Sequence, residues 1–100
     1  IDAVPLLRAY RSNEVGADLK YKDKLLKVTG KIVDVKKDIL DTIYITLGTG
    51  ALFDRKVQAF FSDADAAKVA NLKKGQKVTI VGRCRGLMIN VLLKDSVLTN

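Results

Sequence analysis

Two aromatic residues, Tyr44 and Phe60, and four cations, Lys27, Lys31, Arg83 and Arg85, are the side chains here with a binding chemistry to offer. An outward aromatic ring presents a π-face on which another flat ring stacks, and a cation gives charge-assisted hydrogen bonds to phosphate or carboxylate. Catalysis has far less to work with. The 100 residues contain no histidine, which removes the commonest general base and the commonest metal ligand together. The 11 Asp and Glu are scattered and form no acid–base set. Cys84 is alone, so it makes neither an internal disulfide nor a thiolate cluster for zinc. These side chains suit a non-enzymatic binding module without cofactor or metal.

Charge points the same way. Against those 11 acids stand 18 Lys and Arg, a formal charge of +7, and a positive protein attracts nucleic acids, anionic lipid surfaces and acidic partners. The competing reading is solubility, because ~2–8 net charges are usual for a small domain. Seven lysines fall between Lys20 and Lys37, against only Asp23 and Asp34. They are either half of a basic face or lysines that guard strands from edge pairing.

The elements that must position these groups follow from periodicity. The length allows one domain, 1–100, read as a helical extension over 1–22 and a barrel over 23–100. Leu6, Leu7 and Tyr10 recur at helical spacing, as do Val15, Leu19 and Lys22; Pro5 suits a first turn and Ser12 or Asn13 caps a second helix. From Lys24 to Asp38 the chain reads as one long strand. Leu26, Val28, Gly30 and Ile32 share a face, Val33 and Val35 then take it over, and this parity switch beside Gly30 predicts a bulge and a bend. Residues 43–47 and 57–61 alternate as a hairpin in which Ile43 pairs with Phe61 and Tyr44 with Phe60. Ser62 or Asp63 opens a short helix through about Ala70. Val78, Ile80, Gly82 and Cys84 face inward on a fourth strand, which makes Cys84 a buried, inert thiol. Gly86 and Leu87 turn the chain, Ile89, Val91 and Leu93 complete a fifth strand, and Asp95 to Asn100 trails off.

Helix, three strands, helix, two strands is the order of an OB-fold, a five-stranded Greek-key barrel. OB-folds that bind single strands stack bases on aromatics of the second and third strands within a basic groove. Tyr44 and Phe60 fall on those strands. The alternative is that they pack beneath the N-terminal helices. Lys27 and Lys31 point outward on strand one, and Arg83 and Arg85 on strand four, its neighbour in such a barrel. The loop from Leu47 to Lys56 carries two glycines, Arg55 and Lys56, but lacks P-loop spacing. Leu52 and Phe53 at its tip either cap the barrel, the favoured expectation, or meet a partner. No apolar run approaches the ~20 residues of a membrane-crossing helix.

Tyr10 with Asn13 and Glu14, Ala17-Asp18 leading into YKDK at 21–24, and VTGKI at 28–32 are followed by YITL at 44–47, FFSD at 60–63, LKKGQKVTIVGRCRG at 72–86 and NVLLKD at 90–95. In this order these pieces resemble the tRNA-anticodon-like OB-fold family, OB-fold lipoproteins of bacteria. The resemblance implies an OB barrel with an N-terminal helical extension. By fold analogy it implies single-stranded nucleic acid or another polyanion as ligand. It also implies a leader with a lipid-attachment cysteine, which would precede Ile1, and hence a place in the bacterial cell envelope. In that setting the chain would be a protein-interaction domain with no nucleic-acid ligand. Many relatives carry a second cysteine near the end of the last strand, suited to pair with the one at Cys84; Asp95-Ser96 stands there in this chain, leaving Cys84 unpaired.

Overall fold

The computed structural model describes residues 1–99. Two helices, α1 (Ala3–Ser12) and α2 (Glu14–Tyr21), precede β1 (Leu25–Lys37), β2 (Ile43–Leu47) and β3 (Val57–Phe61). A 3-10 turn (Asp63–Asp65) and a short helix, α3 (Ala66–Ala70), lead to β4 (Lys77–Met88) and β5 (Asn90–Leu98). The strands close in the order β1-β2-β3-β5-β4, with only the β3–β5 seam parallel. This is the OB-fold.

β1 is the strand that closes the barrel. Its first half, Leu25 to Lys31, pairs with β4, and its second half, Ile32 to Lys37, with β2. The register slips between Ile32 and Asp34, so Val33 is the extra residue of a bulge, where the side-chain parity changes. A Cβ at Gly30 would lie 2.8 Å from the Ala3 Cβ and 3.3 Å from that of Leu47. Glycine there lets the start of α1 lie directly against the bent strand. The seat is tied by the Ile1 backbone nitrogen donating to the Lys27 carbonyl at 2.9 Å and by Thr29 N–H donating to the Ile1 carbonyl at 3.1 Å.

Inside the barrel, Val28, Ile32, Ile45, Leu47, Val57, Ala59, Ile80, Cys84, Val91 and Leu93 form the buried core, joined by Leu6 and Tyr10 of α1 and Ala17 of α2. Residues alternate in and out along each strand, as a half-buried sheet requires. Two residues depart from this: Thr46 lies on the outer parity yet is buried, its hydroxyl accepting from Asp34 N–H at 3.0 Å beside the bulge, and Ser96 is buried after Lys94 and Asp95 are both exposed on β5.

Several expectations need correction. Val15 and Leu19 do not form the packing face of α2; both are exposed, while Ala17 and Tyr21 face the core. Two contacts set that rotation: Asn13 caps α2 by accepting from Gly16 N–H at 3.0 Å, and the Tyr10 hydroxyl donates to Asp18 Oδ1 at 2.9 Å. Gly86 does not turn the chain. At φ 84° it sits at a β4 bulge, where the register slips between Cys84 and Gly86, and the strand runs on to Met88. The turn falls instead at Ile89, which is exposed and precedes the fifth strand rather than belonging to it. β5 then continues to Leu98 instead of trailing off after Asp95, because it keeps pairing with β4 through Val97 and Leu98. Asn100 lies outside the described residues. Leu52 and Phe53 do not cap the barrel; α1 covers the core at Gly30 and Leu47, and the loop tip points to solvent.

Candidate functional site

The β2–β3 hairpin has the register read from its alternation, with Ile43 opposite Phe61 and Tyr44 opposite Phe60. Inward Ile43, Ile45, Ala59 and Phe61 hold the hairpin on the core, which places the two outward rings side by side. Their centroids are 5.8 Å apart with planes inclined at 49°, within the range of favourable aromatic pairs. Both rings are half-buried, and neither lies beneath a helix: α1 packs on β1 and α2 on β4.

The row containing the pair runs around the barrel. Lys36 on β1 stands opposite Tyr44. On the other side, Lys94 of β5 places its Nζ 4.1 Å from the Phe60 ring centroid, a cation–π contact. Arg83 of β4 is the register partner of Lys94. One lateral row, Lys36, Tyr44, Phe60, Lys94 and Arg83, thus crosses all five strands, two rings flanked by three cations. Lys36 reaches the half-buried Asp34 at 3.9 Å, a carboxylate that Lys74 also approaches at 3.8 Å; so long a pair near the surface typically contributes ~0–1 kcal/mol and yields readily to another anion. Beside Phe60 opens a cleft of about 380 Å³ lined by Thr42, Ser62, Asp65, Lys94, Asp95 and Ser96, a mixture of donors and acceptors.

Among the basic residues singled out from sequence, Arg83 joins this row, although its Nη1 also donates to the Asp23 carbonyl at 2.9 Å. Arg85 is held in an ion pair with Asp23 at 3.2 Å. Lys27 and Lys31 are exposed on the β4-paired half of β1, opposite Val81 and Lys77, on the other side of the bulge from Lys36. The structure therefore brings Tyr44, Phe60 and Arg83 into one row and leaves Lys27, Lys31 and Arg85 outside it. Lys36 and Lys94 complete it. Lys36 could have been found by carrying the outward parity of β1 past its bulge. Lys94 depends on the β3–β5 pairing, which chain order does not display.

Among the described residues one titrating group is strongly displaced, and it belongs to the core. Burial, then hydrogen bonding to Cys84 and to Asp18, pushes the Tyr10 phenol far above its usual range. Its oxygen lies 3.7 Å from Cys84 Sγ and 2.9 Å from Asp18 Oδ1, so it joins α1 to α2 and β4. Cys84 is free and fully buried. No cluster of metal-ligating side chains occurs among the described residues.

A closed OB barrel with an aromatic–cationic row on its β2–β3 face is the class of protein that fold and geometry define. The chain matches the model of the tRNA_anti-like family over residues 1–97, and it belongs to that family. Among solved structures it is similar to the crystal structure of a "putative nucleic acid-binding lipoprotein" from Klebsiella pneumoniae subsp. pneumoniae. That likeness has a TM-score of 0.76 at 24% sequence identity and covers 100% of this chain and 92% of the other. At that identity it is a likeness of fold. No curated protein sequence matches the chain.

Proposed function

We propose that this protein is a non-enzymatic module that binds single-stranded nucleic acid across β2 and β3. The observation that carries this reading is the Tyr44–Phe60 pair, half-exposed and flanked by Lys36 and Lys94. Stacking on such rings contributes roughly 1–3 kcal/mol per base and tolerates any sequence, because every base has a π-face. Lys94 is exposed, and leaving the Phe60 ring for a phosphate would cost only about 0.5–1 kcal/mol of cation–π attraction. The Thr, Ser and Asp side chains of the adjoining cleft can take the polar edges of a base, while Lys36, Lys94 and Arg83 take phosphates. Lys27 and Lys31 add charge along β1.

The names of the family and of the Klebsiella neighbour both point to binding rather than catalysis. That neighbour's description as a lipoprotein supports a bacterial envelope location for this chain as well. It also favours a second reading, an envelope protein-interaction domain with no nucleic-acid ligand. In that case the exposed Ile39 and Leu40 of the β1–β2 loop, at the Tyr44 end of the hairpin, would serve the partner. A titration of labelled single-stranded DNA and RNA over a range of salt separates the two. Affinity that falls steeply with salt supports the first reading, and no binding at low salt leaves the second.

A further inference from the structure

The end of the barrel away from Ile39 and Leu40 carries two solvent-facing apolar tips. Leu52 and Phe53, in the β2–β3 loop, are 84% and 93% exposed; Met88 and Ile89, in the β4–β5 hairpin, are 68% and 84% exposed. The tips are braced rather than loose. Thr49 Oγ1 donates to Asp54 Oδ2 at 2.7 Å and accepts from Ala51 N–H at 3.1 Å, closing the first loop on itself. Arg55 Nη1 donates to the Ile89 carbonyl at 3.2 Å, Lys56 N–H to Asn90 Oδ1 at 3.0 Å, and Val91 N–H to the Lys56 carbonyl at 3.0 Å, binding one loop to the other. Ile89 also has a φ of 64°, where a β-branched residue is disfavoured and Asn or Gly is not. An isoleucine that is strained, exposed and unpacked does nothing for the fold.

Cations surround these tips. A groove of about 550 Å³ between α1 and the first loop is lined by Val4, Leu7, Arg8, Arg11, Phe53 and Arg55 together with Thr49 and Asp54, whose carboxylate is taken up by the Thr49 hydroxyl. Arg8, Arg11 and Arg55 enter no ion pair among the described residues. Convex apolar tips beside arginines fit a surface that is apolar within and anionic at its rim. A nucleic acid offers Leu52, Met88 and Ile89 no apolar interior, whereas a fluid bilayer accepts a convex tip of any shape.

We propose that this end of the barrel docks on an anionic lipid bilayer, with Leu52, Phe53, Met88 and Ile89 entering the acyl boundary and Arg8, Arg11 and Arg55 taking lipid phosphates. The docking is independent of the β2–β3 interface. The chain has no tryptophan, so Phe53→Trp supplies a single reporter at the tip and Ile39→Trp a control at the opposite end. Mixed phosphatidylglycerol–phosphatidylcholine vesicles should shift the Phe53→Trp emission to the blue and leave the Ile39→Trp emission in place, with no response to pure phosphatidylcholine. In co-sedimentation, Leu52→Ser with Phe53→Ser should lower partitioning at least about tenfold, and Arg8→Gln or Arg11→Gln about fivefold each. The serine variant should bind single-stranded DNA as the parent does. Partitioning unchanged by the serine pair, a blue shift in the Ile39→Trp protein instead, or no partitioning onto the anionic vesicles would overturn the proposal.

Discussion

Tyr44 and Phe60 are direct cross-strand partners on β2 and β3, their ring centroids 5.8 Å apart. The relationship follows from elementary strand geometry. Ile43 and Phe61 must both face the core, so the next pair must both face out. Two rings held by a closed barrel form a surface whose spacing is set before any ligand arrives, and this lowers the ordering cost of binding.

The cations should separate by row. Lys94→Gln and Lys36→Gln should each weaken single-stranded DNA binding and reduce the slope of log affinity against log salt by about one for each phosphate no longer neutralised. Arg85→Gln should change less, because Arg85 lies outside the row that Lys36, Tyr44, Phe60, Lys94 and Arg83 form. A salt series on each purified variant reads both quantities.

Gly30 carries a packing role that substitution exposes. Gly30→Ala places a methyl 2.8 Å from the Ala3 Cβ, and overpacking of this kind costs about 1–3 kcal/mol. Adding Ala3→Gly removes the opposing methyl and should restore part of the stability. Urea denaturation of the two single variants and the double variant measures that coupling.

Ile89→Asn should stabilise the protein by about 1 kcal/mol, because asparagine tolerates the positive φ that isoleucine resists. The same substitution removes one of the exposed tips, so thermal stability should rise while partitioning onto anionic vesicles falls. Differential scanning calorimetry beside the sedimentation assay tests both.

Tyr10 should shape the alkaline limb of stability. Its phenol is held neutral in the folded state by burial and by its contacts with Cys84 and Asp18, so its folded pKa lies above the unfolded value. The contribution is therefore full below about pH 10, the unfolded pKa of tyrosine, and declines above it as the unfolded chain ionises. The difference in unfolding free energy between the parent and Tyr10→Phe should be flat below that pH. Above it the parent should lose about 1.4 kcal/mol per pH unit relative to the variant.

Much of the barrel is legible in the residues because its strands alternate cleanly. The hairpin register and the β1 bulge both follow from inward residues having to meet inward residues. Two kinds of feature escape that logic. Gly86 looks like a turn but serves a bulge, and only the partner strand distinguishes these uses of a positive φ. On α2, Val15 and Leu19 have the right spacing for a buried face, yet the Asn13 cap and the Tyr10–Asp18 hydrogen bond rotate them outward. Within the candidate interface, Tyr44 and Phe60 were readable from local pairing, whereas Lys94 depends on a parallel seam between strands far apart in the chain.

Single-strand binding across β2 and β3 is tested most directly by the affinity of a Tyr44→Ala, Phe60→Ala double variant for a labelled single-stranded oligonucleotide at low salt. Both rings are half-exposed, so the variant should stay folded by circular dichroism. Removing two stacking surfaces should weaken binding by at least about tenfold, since each contributes roughly 1–3 kcal/mol. A folded double variant that binds as tightly as the parent, or a parent that binds no single strand at low salt, would contradict it.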